Sequence, residues 1–179
     1  FKILGSQDWE PINFNNKFSG SIVLKKALMD SINVISAKLI DQIGVETVIE
    51  NAEKFGIQSH LEKNMSLALG TSPVSPLEMA SAFTVFASGG IYAKPFAIKR
   101  IEDFRGNVLE EKFPRYDQVV NPQLIYLMVD MMKGVVDDGT ARRIRRMGFN
   151  RPAAGKTGTT NDFKDAWFTG FTPTLSTSV

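Results

Sequence analysis

Apolar residues recur with helical spacing over much of the chain between residues 21 and 146. The pattern predicts a helix over 21–29 with apolar side chains on one face, a second over about 34–43 and a third over 45–55. A glycine follows each of the last two segments, and glycine readily takes the left-handed conformation beyond a helix end. Residues 1–20 lack this spacing and predict an ordered loop.

The most complete helix signal lies at 76–88. Ser75 is a favourable N-cap, and Pro76 occupies the first helical position. Glu78 stands three residues after Ser75 and completes a Ser-x-x-Glu capping box. A pair of glycines ends the segment. These signals predict both the start and the end of this helix.

A further helix is predicted over 122–136, after Asn121 and with Pro122 at its first position. Its apolar residues lie on most sides, which predicts a buried core helix. The next segment, 140–147, predicts a short basic helix. Its arginines over 142–146 follow two aspartates that balance their charge. They therefore predict a solvated helix face and no contact with nucleic acid.

Strand patterns appear in two places. The segments 96–104 and 107–113 predict a short hairpin around a Gly-containing turn. Near the end of the chain, 152–157 and 166–172 predict two strands around a polar turn, and 175–179 predicts the start of a third strand.

The chain thus divides into the loop 1–20, a mainly helical part 21–146 with a hairpin near 96–113, and an antiparallel ribbon over 152–179. Helices followed by an antiparallel ribbon indicate the α+β class. They do not fit the regular strand–helix alternation of a doubly wound sheet.

Composition sets limits on function. The 179 residues are 43% hydrophobic and 22% charged with a net charge of +2, so the chain predicts a folded domain, or a large piece of one, and not a nucleic-acid binder. Cysteine is absent, which excludes disulfides and thiolate metal sites. His60 is the only histidine, which excludes a multi-histidine metal centre. No apolar run approaches the length of a membrane span.

The tripeptide Gly155-Lys156-Thr157 has two possible meanings. A phosphate-binding loop requires Gly-x-x-x-x-Gly-Lys-Ser/Thr, but the first position of that pattern is Asn150, and Pro152 interrupts the loop. The residues that follow are turn-like and not helix-forming. A nucleotide site is therefore disfavoured.

The second meaning is a Lys-Thr-Gly strand in a serine acyl-transfer site, which requires a partner Ser-x-Asn motif. We predict that a sheet-edge strand presents the Lys156 ammonium and the hydroxyls of Thr157 and Thr159 on one side, with Gly158 pointing to the other. The partner motif is Ser31-Ile32-Asn33, in the predicted break between two helices. Each tripeptide alone is weak evidence, because Ser-x-Asn also occurs as a helix cap.

Four longer blocks strengthen the interpretation. The segments 20–39, 68–95, 131–143 and 152–173 resemble, in the same order, the transpeptidase domain of bifunctional (class A) penicillin-binding proteins. The resemblance implies the penicillin-binding and serine β-lactamase-like transpeptidase fold, an antiparallel sheet flanked by helices, which is incomplete in this chain.

The resemblance also implies an activity, the crosslinking of peptidoglycan stem peptides. In that family a serine attacks the D-Ala-D-Ala end of a stem peptide, releases D-alanine, and passes the acyl group to an amine on a neighbouring strand. β-Lactams imitate the substrate and acylate the same serine. This covalent catalysis needs no metal and no cofactor.

The roles of individual residues are carried over only at matching positions. Ser31 would relay a proton between the active-site lysine and the reacting nitrogen, and Asn33 would bind the substrate amide and help to hold that lysine. Lys156 would attract the terminal carboxylate, which the hydroxyls of Thr157 and Thr159 would also bind. The backbone N–H of Thr159 would form half of the oxyanion hole. Gly158 would be structural.

The sequence departs from the family in one respect: it contains no Ser-x-x-Lys tetrapeptide, the motif that carries the nucleophile. We therefore expect a partial domain that is inactive alone, with the nucleophile on a missing N-terminal part, possibly a second chain. The family further implies a fused glycosyltransferase domain and an N-terminal helix. This helix would anchor the protein in the bacterial cytoplasmic membrane, with the transpeptidase domain on the outer side.

Two alternatives share the same fold. The first is a D,D-carboxypeptidase or β-lactamase, which passes the acyl group to water. The second is a non-catalytic β-lactam-sensing domain. The blocks 68–95 and 152–173 favour the transpeptidase of a class A penicillin-binding protein over both alternatives. In addition, Ser-Ile-Asn differs from the Ser-Asp-Asn of class A β-lactamases.

Overall fold

A computed structural model describes residues 9–159 and 165–179. Helices occupy much of the chain up to residue 146, and a three-stranded antiparallel ribbon forms the C-terminal part, as the α+β class requires. In chain order the helices are α1 (Leu24–Met29), α2 (Asn33–Ile43), α3 (Val45–Lys54), a 3₁₀ turn (Met65–Leu69), α4 (Pro76–Ala87), α5 (Pro122–Asp137) and α6 (Arg143–Arg146). No helix in these two ranges is sufficiently long and apolar to span a lipid bilayer.

Within the described ranges the strands form three small antiparallel sheets. They are β1 (Ile91–Ala93), β2 (Arg100–Glu102), β3 (Val108–Glu111), β4 (Tyr116–Gln118), β5 (Ala154–Thr159), β6 (Ala166–Phe171) and β7 (Ser176–Ser178). β1 pairs with β4, and β2 pairs with β3. The third sheet has the order β5-β6-β7, which leaves β5 at one edge.

Most predicted elements are confirmed, with shorter bounds. The first helix begins at Leu24 and not at Ser21, and the predicted basic helix is a single turn. The hairpin near 96–113 is present as β2 and β3. The β1–β4 pair and the 3₁₀ turn were not predicted. The predicted loop is non-helical from residue 9 to residue 20, and its first eight residues lie outside the described part.

The capping box of α4 is confirmed. The Ser75 hydroxyl accepts from the Glu78 N–H, and the Glu78 carboxylate accepts from the Ser75 N–H. The same carboxylate also accepts from the backbone N–H groups of Gln58 and Ser59 and from the Ser59 hydroxyl, at 2.7–2.8 Å. These bonds, with that of the Ser59 side chain the largest cause, hold the pKa of Glu78 well below its usual value. Glu78 thus ties the segment after α3 to the start of α4.

We expect Glu78→Gln to lower the free energy of unfolding by about 2 kcal/mol at pH 7, because an amide cannot replace five hydrogen bonds to a carboxylate. The folded-state pKa lies below the unfolded one, so this stabilisation is complete above about pH 4.5 and is lost as pH falls toward the folded-state pKa. Denaturant unfolding from pH 3 to 7 measures the difference. Glu111→Gln, at an exposed position, is the matched control. A difference independent of pH would contradict the prediction.

The prediction that α5 is a buried core helix is correct for most of its second half and for only one side of its first half. In the second half Met132, Val135 and Val136 are buried against β5, β6 and α1. In the first two turns Ile125 is buried, whereas Tyr126 and Leu127 are 74% and 59% exposed. The presence of apolar residues on most sides of the helix therefore did not predict which of them are buried.

The β5–β6 pair is brought close by two glycines. Gly155 and Gly170 lie opposite each other, and the ring of Phe168 covers both. A Cβ at Gly155 would lie 2.8 Å from the Phe168 ring and 2.7 Å from the Thr169 carbonyl oxygen. The Phe168 ring in turn packs on Val135, Val136 and Ala141 near the end of α5. This packing positions the N-terminal half of β5 against α5.

Candidate active site

Ser31 lies at the junction of α1 and α2, as predicted. The Ser31 N–H donates to the Leu28 carbonyl and the Ile32 N–H donates to the Ala27 carbonyl, the hydrogen-bond pattern of a Schellman motif. Ser31 itself has a φ of 54°, in the left-handed region where glycine is usual. The sharp turn directs the chain from one helix into the next with the Ser31 hydroxyl at the corner.

A helix cap is the simpler role for a Ser-x-Asn motif, and it is wrong for α2. Neither the N-cap residue Ile32 nor its neighbours cap this helix with a side chain. The Val34 N–H instead donates to the side-chain oxygen of Asn13, a residue only 4% exposed, whose amide nitrogen binds the Lys17 carbonyl. The loop before α1 therefore caps α2 from outside, and the Ser31 hydroxyl is left for another contact.

Lys156 provides that contact. Its ammonium donates to the Ser31 Oγ at 2.8 Å and to the Thr157 carbonyl at 2.8 Å, although Ser31 and Lys156 are 125 residues apart in the chain. No carboxylate in the ranges 9–159 and 165–179 pairs with Lys156. Burial lowers the pKa of Lys156 to about 8, because the charged form loses hydration. Among the described residues, the site thus holds a partly buried cation without an acidic partner.

Among the described residues, β5 pairs with β6 along one edge and with no strand along the other. The Phe168 N–H and carbonyl both bond to Val179, on the side of β7. Thr157 faces Phe168 across the β5–β6 pair, so its own N–H and C=O point away from β6. With the period of two along a strand, the N–H of Thr159 also points to this edge. Within the part of the chain that the structure describes, this edge therefore leaves backbone N–H donors available beside Lys156.

The side chains of β5 correct one prediction. Successive residues of a strand point to opposite faces, so Lys156 shares a face with Gly158, and Thr157 shares the other face with Thr159. The lysine was predicted on the same side as the two hydroxyls, which is wrong. Its flexible side chain nevertheless reaches the strand edge, where the ammonium binds the Thr157 carbonyl.

Not all predicted site residues meet. Ser31, Lys156 and Thr157 are linked by the contacts described above. Asn33 lies in the first turn of α2, and its amide nitrogen donates to the Ile12 carbonyl at 3.0 Å, in the loop before α1. Thr159 is exposed at the end of β5. The functional roles given to these residues stay predictions.

The phosphate-loop alternative is wrong. Gly155, Lys156 and Thr157 lie within β5, in register with β6. A phosphate loop instead wraps around its ligand and leads into a helix. The backbone geometry thus removes the nucleotide-binding interpretation.

Two residues near the site were not identified from the sequence. Asn13 caps α2 across a separation of 21 residues, and the only available signal was its place in an asparagine-rich loop. Thr140 follows α5, and its Oγ1 lies 2.6 Å from the Thr157 Oγ1. The available signal there was a Gly-Thr pair directly after a helix, which we interpreted as the start of a short basic helix.

The comparisons with known proteins agree with this geometry. Residues 1–179 match the family described as the penicillin binding protein transpeptidase domain. Penicillin-binding protein 1A of Aquifex aeolicus is 45% identical over 173 residues, which cover 97% of this chain and 23% of that protein. Penicillin-binding protein 1A of Clostridium novyi is 38% identical over 178 residues, which cover 96% and 21%.

Solved structures give the same result. The crystal structure of penicillin-binding protein 1A from Haemophilus influenzae has a TM-score of 0.89 at 27% identity, over 99% of this chain and 32% of that chain. The PonA1 protein of Mycobacterium tuberculosis in complex with penicillin V has a TM-score of 0.81 at 25% identity, over 93% of this chain and 49% of that chain.

The chain belongs to the penicillin-binding protein transpeptidase domain family. The resemblance inferred from the sequence and the α+β transpeptidase fold are both confirmed. The chain spans about a fifth of the length of the curated relatives that it matches.

Proposed function

We propose that this chain is part of a serine-type D,D-transpeptidase that crosslinks peptidoglycan stem peptides and is acylated by β-lactams. The observation that carries the proposal is the 2.8 Å contact between Lys156 Nζ and Ser31 Oγ, which joins two motifs far apart in the chain. Membership of the family and the complex of PonA1 with penicillin V support it.

In the proposed reaction a serine hydroxyl attacks the carbonyl of the penultimate D-alanine. The C–N bond to the terminal D-alanine breaks, and the departing amine takes a proton through Ser31. An amine of a second stem peptide then attacks the ester, gives up a proton by the same route, and releases the serine. Asn33 would bind the backbone amide of the first stem peptide and help to hold the lysine that accompanies the serine.

Lys156 supplies the positive charge for the terminal carboxylate of the substrate, and the hydroxyls of Thr157 and Thr159 bind the same group. The open edge of β5 supports a further role for Thr159, whose N–H would stabilise the oxyanion as the serine attacks. Gly158 keeps the strand narrow between these two threonines. The reaction uses no metal and no cofactor.

The nucleophile is proposed to lie outside these 179 residues, because they contain no Ser-x-x-Lys and the matching relatives are several times longer. This chain alone is then inactive, and its partner is the part of the domain that holds the serine, in the same polypeptide or in a second chain. A glycosyltransferase domain and an anchor in the cytoplasmic membrane, with the site on its outer side, complete the proposed protein.

Intact-mass spectrometry with benzylpenicillin tests this proposal. The full polypeptide that contains these residues, with any co-purifying chain, should gain one penicilloyl adduct outside residues 1–179. Ser31→Ala should slow the adduct formation about a hundredfold, because the proton relay is lost. The matched control is Ser36→Ala, which lies within α2 and five residues after Ser31. This variant should be acylated at the normal rate.

Three outcomes would contradict parts of the proposal. An adduct within residues 1–179 would place the nucleophile in this chain. No adduct in any chain would reject the acyl-transfer function. Fast release of D-alanine that is independent of an added amine acceptor would favour a D,D-carboxypeptidase over a transpeptidase.

A further inference from the structure

Thr140 connects two parts of the proposed site. It follows α5 directly after Gly139, and its Oγ1 lies 2.6 Å from the Thr157 Oγ1 on the Lys-Thr-Gly strand. No other side-chain hydrogen bond of Thr140 or Thr157 occurs within residues 9–159 and 165–179. The two hydroxyls therefore act as a pair.

The backbone of Thr140 is fixed independently of its side chain. Its N–H donates to the Met29 carbonyl at 3.1 Å, at the end of α1 and two residues before Ser31. Gly139 permits this approach, since a Cβ there would lie 2.5 Å from the Met29 carbonyl oxygen. The position of the Thr140 Cα is thus set by contacts that a side-chain substitution does not remove.

These contacts close a ring around the site. Thr140 is bound to Met29, Met29 precedes Ser31 in the chain, and the Ser31 hydroxyl binds Lys156. Lys156 is followed by Thr157, whose hydroxyl returns to Thr140. The ring therefore holds the Thr140–Thr157 pair and the Ser31–Lys156 pair in a fixed relation to each other.

The number of hydrogens available in the hydroxyl pair defines what Thr140 can do for Thr157. Each hydroxyl has one hydrogen, so a bonded pair retains one hydrogen for a further acceptor. We propose that Thr140 is a positioning residue: its O–H donates to the Thr157 Oγ1, which leaves the Thr157 O–H directed at the substrate carboxylate that Lys156 attracts. This inference rests on the proposed function, and it specifies which group positions the carboxylate-binding hydroxyl.

Two variants and two ligands test it in the full polypeptide. Thr140→Val keeps the shape and the backbone bond to Met29 but lacks the hydroxyl, whereas Thr140→Ser retains a hydroxyl. The ligands are benzylpenicillin and its methyl ester, which lacks the free carboxylate. Stopped-flow acylation separates the dissociation constant of the initial complex from the acylation rate constant.

We expect Thr140→Val to weaken the initial binding of benzylpenicillin about tenfold and to change that of the methyl ester less than about twofold. Thr140→Ser should restore benzylpenicillin binding to within about twofold of the unsubstituted protein. Equal losses for the two ligands would show a purely structural role and overturn the inference, as would normal binding of benzylpenicillin by Thr140→Val. If the unsubstituted protein is not acylated by either ligand, the proposed function itself fails and the inference fails with it.

Discussion

Lys156→Met is expected to lower the second-order rate constant for acylation by benzylpenicillin about a thousandfold in the full polypeptide. The substitution removes both the hydrogen bond to Ser31 Oγ and a cation that has no carboxylate partner in the described part of the chain. A ligand carboxylate that enters the site thereby loses its counter-charge, and the Ser31 hydroxyl loses the hydrogen bond that holds it in place. Stopped-flow acylation at pH 7 measures the effect.

The pH dependence provides a second test of the same residue. Burial lowers the pKa of Lys156 to about 8, so its protonated fraction is about one half at pH 8 and about one tenth at pH 9. The second-order rate constant reports the free enzyme, and it should fall above about pH 8. Lys156→Arg keeps its charge throughout this range, so its lower rate constant should not fall further above pH 8.

The contribution of Lys156 to the free energy of unfolding should rise over the pH range in which the acylation rate constant falls. The loss of rate can therefore be distinguished from unfolding. The folded state releases the Lys156 proton near pH 8, while the unfolded state releases it near pH 10.5. Between these values the unfolded state binds more protons, so the contribution of Lys156 to the free energy of unfolding rises with pH.

The kinetic prediction would be contradicted if the rate constant of Lys156→Arg also falls above pH 8, because the titrating group would then be a different residue.

Gly155→Ala is expected to destabilise the fold by about 3 kcal/mol or more. The added Cβ would lie 2.7 Å from the Thr169 carbonyl oxygen and 2.9 Å from the Gly170 Cα, and neither backbone atom can move without separating β5 from β6. It would also displace the Phe168 ring from its position against Val135 and Val136. Denaturant unfolding of the full polypeptide, followed by circular dichroism, measures the loss.

Gly158→Ala is the matched control for this prediction. It lies on the same strand, but among the described residues a Cβ at that position would meet only the Trp167 Cβ, at 3.4 Å. We expect a change in the free energy of unfolding of less than about 1 kcal/mol. Equal destabilisation by the two substitutions would mean that loss of glycine from the strand, and not the contact with Phe168 and β6, determines the effect.

Local signals explain which elements were predictable from the sequence. The helix that begins at Pro76 carries its own cap in Ser75 and Glu78, so its start could be predicted without knowledge of the rest of the fold. The hairpin of β2 and β3 has its turn between its strands and is equally local. The strands β1 and β4 are three residues each and far apart in sequence, so neither carries a strong pattern of its own.

The candidate site shows the same difference between features with a local sequence signal and features that depend on long-range contacts. Ser31 and Lys156 were found through their motifs, but the cap that Asn13 supplies to α2 depends on a contact across 21 residues. The lowered pKa of Lys156 depends on burial, which a sequence motif does not contain. The face on which Lys156 lies was assigned wrongly although strand alternation is a local rule, because the prediction placed three side chains by their function and not by their parity.

The left-handed conformation of Ser31 has a practical consequence for engineering. At a φ of 54° a glycine would fit the backbone with less strain, yet it would lack the hydroxyl that binds Lys156. Selection for thermal stability alone does not test whether the hydroxyl is kept for function. Libraries designed for heat tolerance need a penicillin-labelling screen, or position 31 must be held constant.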